Sequence, residues 1–123
     1  MVVRAGDVVR VPKFPVWHYG VVTYADQWSV EVTHASPRIG YAATTSWEDF
    51  ADGQTVEVVA RPDDPWDVVE RALSWVGEPY RLFTANCEHL VTHARDGRPR
   101  SGQVAFGVLA FLAAAGVYVA TRR

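Results

Sequence analysis

The residues best suited to covalent chemistry are a single cysteine and the histidines that accompany it. Cys87 follows Asn86 at the predicted start of a helix, whereas His18 lies at the entrance of one predicted strand and His34 at the end of the next. A thiolate is the nucleophilic form of cysteine, and a helix N-terminus stabilises negative charge and can hold an oxyanion. The pattern is typical of papain-like thiol enzymes, but spacing alone leaves open that these side chains simply pack or face solvent.

The strands that would hold the histidines are predicted from periodicity and turn residues. Residues 8–11, 19–24 and 55–60 are predicted strands, the first ended by Pro12, and alternation over residues 28–33 predicts another. Asp26-Gln27 has the composition of a tight turn, so residues 19–24 and 28–33 form a hairpin that brings His18 and His34 onto neighbouring strands. Residues 46–49 have the spacing of a short capped turn of helix.

A first longer helix is predicted to begin at Asp64-Pro65 and to end at Gly77. Asp64 is expected to cap it, because a carboxylate at that position accepts a hydrogen bond from a free amide. The spacing predicts a shared buried face for Trp66, Val69, Leu73 and Val76.

A second helix is predicted to begin at Asn86 or Cys87 and to end at Gly97. Cys87, Leu90, Val91 and Ala94 would share its buried face. Because strands come first and helices later, the sequence predicts an α+β domain with an antiparallel sheet packed with helices.

The segment Asn86-Cys87-Glu88-His89-Leu90 resembles the asparagine-cysteine-glutamate-histidine signature of the lecithin:retinol acyltransferase (LRAT) family, which includes the H-ras-like suppressor phospholipase A/acyltransferases. Further segments resemble the family in the same order, and with the C-terminal tail they cover nearly the whole chain: residues 6–9, 18–22, 32–34, 94–97 and 100–104. The resemblance implies a circularly permuted, NlpC-type papain-like fold, with an LRAT-like catalytic domain over residues 1–100.

Carried over by position, Cys87 would be the nucleophile, His18 the general base and His34 the residue that orients His18. The resemblance implies a phospholipid or other acyl-ester substrate, an acyl-thioester on Cys87 and no cofactor. Two departures bear on substrate choice: Val16 stands where family members often carry a tyrosine, and the segment between His34 and Pro65 is shorter than in the family.

Three neighbouring groups are candidates for binding the substrate or its oxyanion. The backbone amide of Glu88 lies at the helix start, and Trp17 and Tyr19 flank the candidate base. His89 is expected to bond to backbone. His89 and His93 have the i, i+4 spacing of zinc ligands, but Leu90 occupies the place of the glutamate in the zinc-protease motif, so no metal site is predicted.

Residues 101–123 are predicted to form a linker and a C-terminal hydrophobic helix. Residues 104–120 contain no charged side chain, and this stretch of 17 residues is near the lower limit for crossing a bilayer. Flanking arginines predict a membrane anchor with the catalytic domain on the cytoplasmic side, although such a helix can also pack on protein. The N-terminus lacks the pattern of a signal peptide.

Composition limits the remaining function classes. The chain has 123 residues, enough for one domain, and its net charge of −2 argues against nucleic-acid binding. One cysteine fits a reducing compartment, and an excess of arginine over lysine suggests a bacterial source. Two alternatives to the lipid enzyme stay open: a papain-like thiol peptidase or amidase, and a non-catalytic membrane adaptor. Oligomeric state is not predicted.

Overall fold

The computed structural model describes residues 2–82 and 86–97. Its strands form an antiparallel five-stranded sheet of order β4-β3-β2-β1-β5: β1 (Val8–Lys13), β2 (Val16–Ala25), β3 (Val30–Ala35), β4 (Ala42–Ser46) and β5 (Glu57–Ala60). The helices are α1 (Trp47–Ala51), α2 (Pro65–Leu73) and α3 (Cys87–Asp96). The predicted α+β class with an antiparallel sheet packed with helices is confirmed.

The sheet buries apolar side chains on both faces. Successive valines of β1 alternate between two core clusters, with Val8 packing beside Leu90 of α3 and Val9 beside Phe50 of α1. Neighbouring side chains on a strand point to opposite faces, so a run of valines is favoured where both faces are covered. β2, the strand that carries His18, contacts α2 and α3, and Phe50 of α1 packs against the His18 ring.

The predicted hairpin is confirmed as β2 paired with β3. Its turn forms at Asp26, whose carboxylate accepts hydrogen bonds from the amides of Trp28 at 2.7 Å and Ser29 at 2.8 Å. One expectation fails in β1, because the strand continues through Pro12 to Lys13. β5 pairs with β1 only at its first residues, and a proline is tolerated in a strand where no further neighbour needs its amide.

The helix at Asp64-Pro65 begins where predicted, but its cap and its buried face differ from the prediction. The Asp64 side chain makes no capping hydrogen bond and lies 3.7 Å from Arg71. The predicted face is largely wrong: Val68, Val69 and Ala72 are buried, whereas the exposed residues are Trp66, Leu73 and Val76. Small side chains at the interface let α2 approach α3 and the sheet closely, which a tryptophan would prevent.

The turns that end this helix and the short α1 follow the sequence more closely. α2 itself stops at Leu73, and a further turn leads to Gly77, whose φ of +92° is accessible to glycine. The Ser46 side chain caps α1 by accepting from the amide of Asp49 at 3.1 Å, as its spacing predicted.

Gly20 of β2 permits a close approach that shapes the candidate site. A Cβ atom at this position would lie 2.6 Å from Val32 and 2.9 Å from Phe50. The Phe50 ring in turn packs against the rings of His18 and His34, at centroid separations of 5.3 Å and 5.1 Å. The absence of a side chain at position 20 therefore lets an aromatic ring buttress both histidines.

Residues 98–123, including the predicted linker and anchor, lie outside the part of the chain that the structure describes. Within residues 2–82 and 86–97, no helix combines the length and the apolar character needed to cross a membrane.

Candidate active site

Cys87, His18 and His34 line one cleft of about 380 Å³. The two histidines come from the neighbouring strands β2 and β3, and the cysteine comes from the first residue of α3. Trp17 lines the same cleft, as does Phe50 from α1. The fold therefore gathers the residues that the sequence singled out, although they come from distant parts of the chain.

The sulfur of Cys87 lies against the beginning of β2. Its Sγ atom is 4.0 Å from the carbonyl oxygen of Trp17, the residue that directly precedes His18. The backbone amides of Tyr19, Glu88 and Cys87 itself are placed to stabilise a thiolate. The nucleophile candidate thus lies against the residue that precedes the base candidate, and both candidates line the same cleft.

The end of α3 that holds the cysteine is fixed by reciprocal capping. Asn86 Oδ1 accepts from the amide of His89 at 3.0 Å, and His89 Nδ1 accepts from the amide of Asn86 at 3.3 Å. Asn86 Nδ2 also donates to the Leu82 carbonyl at 2.7 Å, which ties the helix start to the preceding segment. The expectation that His89 bonds to backbone is confirmed. The predicted buried face of α3 is confirmed as well, and Gly97, which caps the helix after Asp96, has a φ of +77°.

Burial changes the chemistry expected of the thiol. A helix start by itself favours the thiolate, but burial raises the pKa of Cys87 to about 11, with the Tyr19 amide opposing that rise. The resting sulfur is therefore a neutral thiol at pH 7, and the expectation of a thiolate stabilised by the helix alone needs correction. Any attack by this sulfur would need a base to remove the thiol proton.

The two histidines form a hydrogen-bonded chain that ends at a threonine. His18 Nε2 lies 2.8 Å from His34 Nδ1, and His34 Nε2 lies 2.9 Å from Thr45 Oγ1. The Thr45 hydroxyl donates to the carbonyl of Ser46 at 3.3 Å. Sequence reasoning missed Thr45, because its role depends on β3–β4 pairing: His34 is opposite Ala43, so Thr45 is a diagonal neighbour on the same face.

Both imidazoles are neutral at pH 7. Burial, reinforced by His34, Lys13 and Arg38, lowers the pKa of His18 to about 3. Burial followed by Arg38 and Lys13 lowers the pKa of His34 to about 4, and Asp49 partly opposes this shift. A neutral imidazole has one donor nitrogen and one acceptor nitrogen, so each ring in the chain has a defined tautomer.

The donor and acceptor roles in this chain of hydrogen bonds follow from Thr45, at the end farthest from His18. Since the Thr45 hydroxyl donates a hydrogen bond to the Ser46 carbonyl, its oxygen accepts one from His34 Nε2–H. His34 Nδ1 is then an acceptor and receives a hydrogen bond from His18 Nε2–H. The remaining nitrogen, His18 Nδ1, carries a lone pair, which is the form that a general base requires.

We expect these buried histidines to make folding stability depend on pH. Folding lowers the pKa of each histidine below its ordinary value of 6.5, so the unfolded chain binds protons first as the pH falls. Below about pH 6.5, the free energy of unfolding should decrease by up to about 1.4 kcal/mol per pH unit for each histidine. Urea unfolding at pH 7 and at pH 4.5 measures this loss. A free energy of unfolding that is equal at both pH values would contradict it, and the His34→Gln variant should show a shallower dependence.

Two further side chains have defined partners: Lys13 at the cleft and His93 on α3. The Lys13 ammonium pairs with Asp52 at 2.6 Å on the cleft rim. His93 Nδ1 accepts from the Trp75 indole at 2.7 Å, a contact between α3 and the segment after α2. Within residues 2–82 and 86–97, no cluster of three metal-binding side chains is present.

Comparison with known proteins bears on what such a cleft is for. The sequence model of the family described as "Lecithin retinol acyltransferase" matches residues 2–100. This chain belongs to the LRAT family. It is also similar to human "Phospholipase A and acyltransferase 2", with 30% identity over 139 residues, which cover 95% of this chain and 85% of the human protein. The family resemblance inferred from Asn86-Cys87-Glu88-His89-Leu90 is thus confirmed.

The LRAT family match includes every part of the cleft described above. Residues 2–100 contain β2 and β3 with their histidines, Thr45 at the end of the chain of hydrogen bonds, and α3 with Cys87. The predicted membrane anchor at residues 104–120 follows the matched region.

Proposed function

We propose that this LRAT-family chain is a thiol-dependent acyltransferase or phospholipase A that acts on acyl esters of phospholipids or related lipids. The acyl group is carried as a thioester on Cys87, His18 is the general base, and His34 orients His18. The observation that carries the proposal is the placement of the Cys87 sulfur 4.0 Å from the Trp17 carbonyl, in the cleft that also holds the His18–His34 pair. The name of the human relative supports both the reaction class and the lipid substrate.

The first half-reaction uses the lone pair on His18 Nδ1. The nitrogen takes the thiol proton while Cys87 Sγ attacks the ester carbonyl carbon, which becomes tetrahedral and negatively charged at oxygen. The protonated His18 then gives its proton to the leaving alcohol oxygen, the carbon–oxygen bond breaks, and the acyl group stays on sulfur. General base assistance of this kind accelerates a reaction by typically about 10²–10⁴-fold.

The second half-reaction releases the acyl group. His18 removes a proton from water or from an amine, which attacks the thioester carbonyl, and the proton then returns to the departing sulfur of Cys87. Water yields a fatty acid and corresponds to phospholipase activity, whereas an amine yields an amide and corresponds to acyl transfer. The backbone amides of Glu88 and Tyr19 are assigned to the oxyanion in both halves, since they face the sulfur.

Trp17 is assigned to the acyl chain. Its ring lines the cleft and is 37% exposed, and the Arg10 guanidinium lies 3.9 Å from the ring centroid. A cation stacked on one face of the indole restricts its orientation and leaves the cleft side available to hydrocarbon. This position directly before His18 would place the alkyl chain beside the reacting carbonyl.

The fold and the organisation of the chain form part of the same proposal. A cysteine at a helix start, histidines on neighbouring strands and the chain order His, His, Cys support a circularly permuted papain-like fold. Residues 1–100 would be the catalytic domain, and residues 101–123 a linker and membrane anchor that keeps the domain on the cytoplasmic side of the bilayer.

Thr45 provides a test of the proton chain. We expect Thr45→Val to lower kcat by about 10- to 100-fold with little change in KM, because His34 Nε2 loses its acceptor and the His18 tautomer is no longer fixed, a loss worth roughly 1–3 kcal/mol. Steady-state kinetics on an acyl ester measures the effect. Thr45→Ser keeps the hydroxyl and should retain most of the activity. If the serine variant is as impaired as the valine variant, Thr45 acts through packing and the proton chain is wrong.

The function itself is tested by searching for the covalent intermediate. Incubating the full chain with phosphatidylcholine vesicles and measuring the intact mass should reveal an added acyl group, which peptide mapping places on Cys87. Cleavage of peptides without an adduct from lipid would favour a thiol peptidase instead. Absence of reaction with either substrate, together with no labelling by a thiol-reactive acyl probe, would favour a non-catalytic adaptor.

A further inference from the structure

An apolar tip joins β1 to β2. The tip comprises residues 14–17, and its Phe14 side chain is 99% exposed. Val16 and Trp17 beside it are 46% and 37% exposed. Each large apolar side chain left in water forgoes roughly 1.5–3 kcal/mol of burial free energy, so a contiguous exposed group of this kind marks a surface that binds something apolar.

The tip borders the cleft that holds Cys87. Phe14, Val16 and Trp17 all line that cleft together with the sulfur. Whatever covers the tip therefore lies at the entrance to the candidate active site. A phospholipid ester lies just below the headgroup layer of a bilayer, so an enzyme that attacks it must bring its cleft entrance to that depth.

Charged side chains surround the apolar tip. Lys13 and Arg38 line the cleft, and Arg38 is exposed and has no salt bridge to any residue in the described ranges. Asp49 and Asp52 also line it, and Asp52 is already paired with Lys13. Apolar side chains next to an unpaired cation match the boundary between acyl chains and phosphate groups.

We propose that this tip docks on the surface of a phospholipid membrane, with Phe14 inserted among the acyl chains and Arg38 at the phosphate layer. The proposal rests on the lipid substrate of the proposed function and adds an orientation to it. The cleft entrance faces the bilayer, and the ester reaches Cys87 past Trp17 without leaving the interface. The occupant is a membrane rather than a second copy of the chain, because a lipid ester must enter by the same opening.

The position of Trp28 makes it a suitable control. Its side chain is 84% exposed, but it lies in the turn between β2 and β3, at the other end of the strand that begins beside the tip. Trp28 does not line the cleft with Cys87. Exposure alone therefore does not distinguish Phe14; its place at the cleft entrance does.

Spin labels test the orientation independently of catalysis. In the full chain with Cys87→Ala, one variant carries a nitroxide on Phe14→Cys and a matched variant carries it on Trp28→Cys. With vesicles of phosphatidylcholine and phosphatidylglycerol, the label at position 14 should lose access to a water-soluble nickel relaxation agent several-fold, while the label at position 28 keeps it. Equal access at both positions, or equal shielding, would overturn the proposal, as would concentration-dependent shielding of position 14 without vesicles.

Kinetics provide a second readout. Phe14→Ser should lower activity on vesicles by about tenfold more than it lowers activity on a dissolved short-chain ester, since part of the burial energy of one phenyl ring is lost only where the ring contacts a bilayer. Trp28→Ser should match the unmodified chain on both substrates. If the unmodified chain attacks neither substrate, the proposed function fails while the label result still decides the docking surface. Equal activity of Phe14→Ser and Trp28→Ser on vesicles would count against docking.

Discussion

Cys87→Ser is expected to reduce turnover of acyl esters by roughly 10⁴-fold or more, the scale seen when the nucleophile of a covalent enzyme is removed. The substitution replaces the thiol by a slightly smaller hydroxyl at the first residue of α3, so Asn86 can still cap the helix. An alcohol loses its proton far less readily than a thiol, and the neutral His18 beside it is a weak base because burial lowers its pKa to about 3. The measurement is kcat/KM on a lipid ester, accompanied by intact-mass analysis.

The control for this experiment is to compare the catalytic activity of Cys87→Ser with its thermal stability. Thermal unfolding of Cys87→Ser should differ little from that of the unmodified chain, because serine differs from cysteine by a single atom and the helix cap is made by Asn86 and His89. A variant that is folded and fully active would remove Cys87 from the mechanism and would end the thioester proposal. A variant that is inactive and still acquires an acyl group on another residue would reassign the nucleophile.

His18→Gln should lower kcat by about 10²–10⁴-fold, the usual contribution of a general base, and should leave KM within a few-fold. Glutamine is close to histidine in size, and its amide can donate to His34 Nδ1 as His18 Nε2 does. It has no basic nitrogen to take the thiol proton, and Cys87 with a pKa near 11 stays protonated without one. Single-turnover kinetics with an activated ester isolates the acylation step, where the loss of the base in the first half-reaction should appear.

The matched control for this variant is His93→Gln. His93 is also a histidine in a hydrogen bond, with its Nδ1 accepting from Trp75 Nε1, but it lies on α3 away from the cleft lining. A glutamine oxygen can accept the same hydrogen bond. His93→Gln should therefore keep full activity. Equal losses in the two variants would indicate that histidine replacement perturbs the fold, and a fast acylation step in His18→Gln would refute the base assignment.

Much of the local structure was predictable because its causes are local. Asp26 forms the turn of the β2–β3 hairpin through hydrogen bonds to residues two and three positions ahead. Asn86 caps the start of α3 with its side chain, and Gly97 ends the helix with a positive φ. Each feature depends on the residue type at a single position. The hairpin alone was enough to predict that the strands of His18 and His34 are neighbours.

Predictions failed for features that depend on which other element packs against a helix or pairs with a strand. The buried face of α2 was read from large apolar side chains, but the structure buries Val68 and Ala72 and leaves Trp66 exposed, because close contact with α3 and the sheet favours small residues. Pro12 was expected to end β1, but β5 does not pair with β1 beyond Arg10, so the missing amide of Pro12 costs no hydrogen bond on that side and β1 continues along β2. In both cases the sequence of one element contains no information about what packs against it.

By itself, the sequence determined the reactive residue types, the elements that carry them and, through the Asn86-Cys87-Glu88-His89 segment, the LRAT family. Only the tertiary structure decided how those groups behave. The register between β3 and β4 brings Thr45 to His34, and the absence of a side chain at Gly20 lets Phe50 pack against both histidines. Burial then sets the protonation of Cys87 and His18, because desolvation depends on all the surrounding elements and not on residues near in the chain.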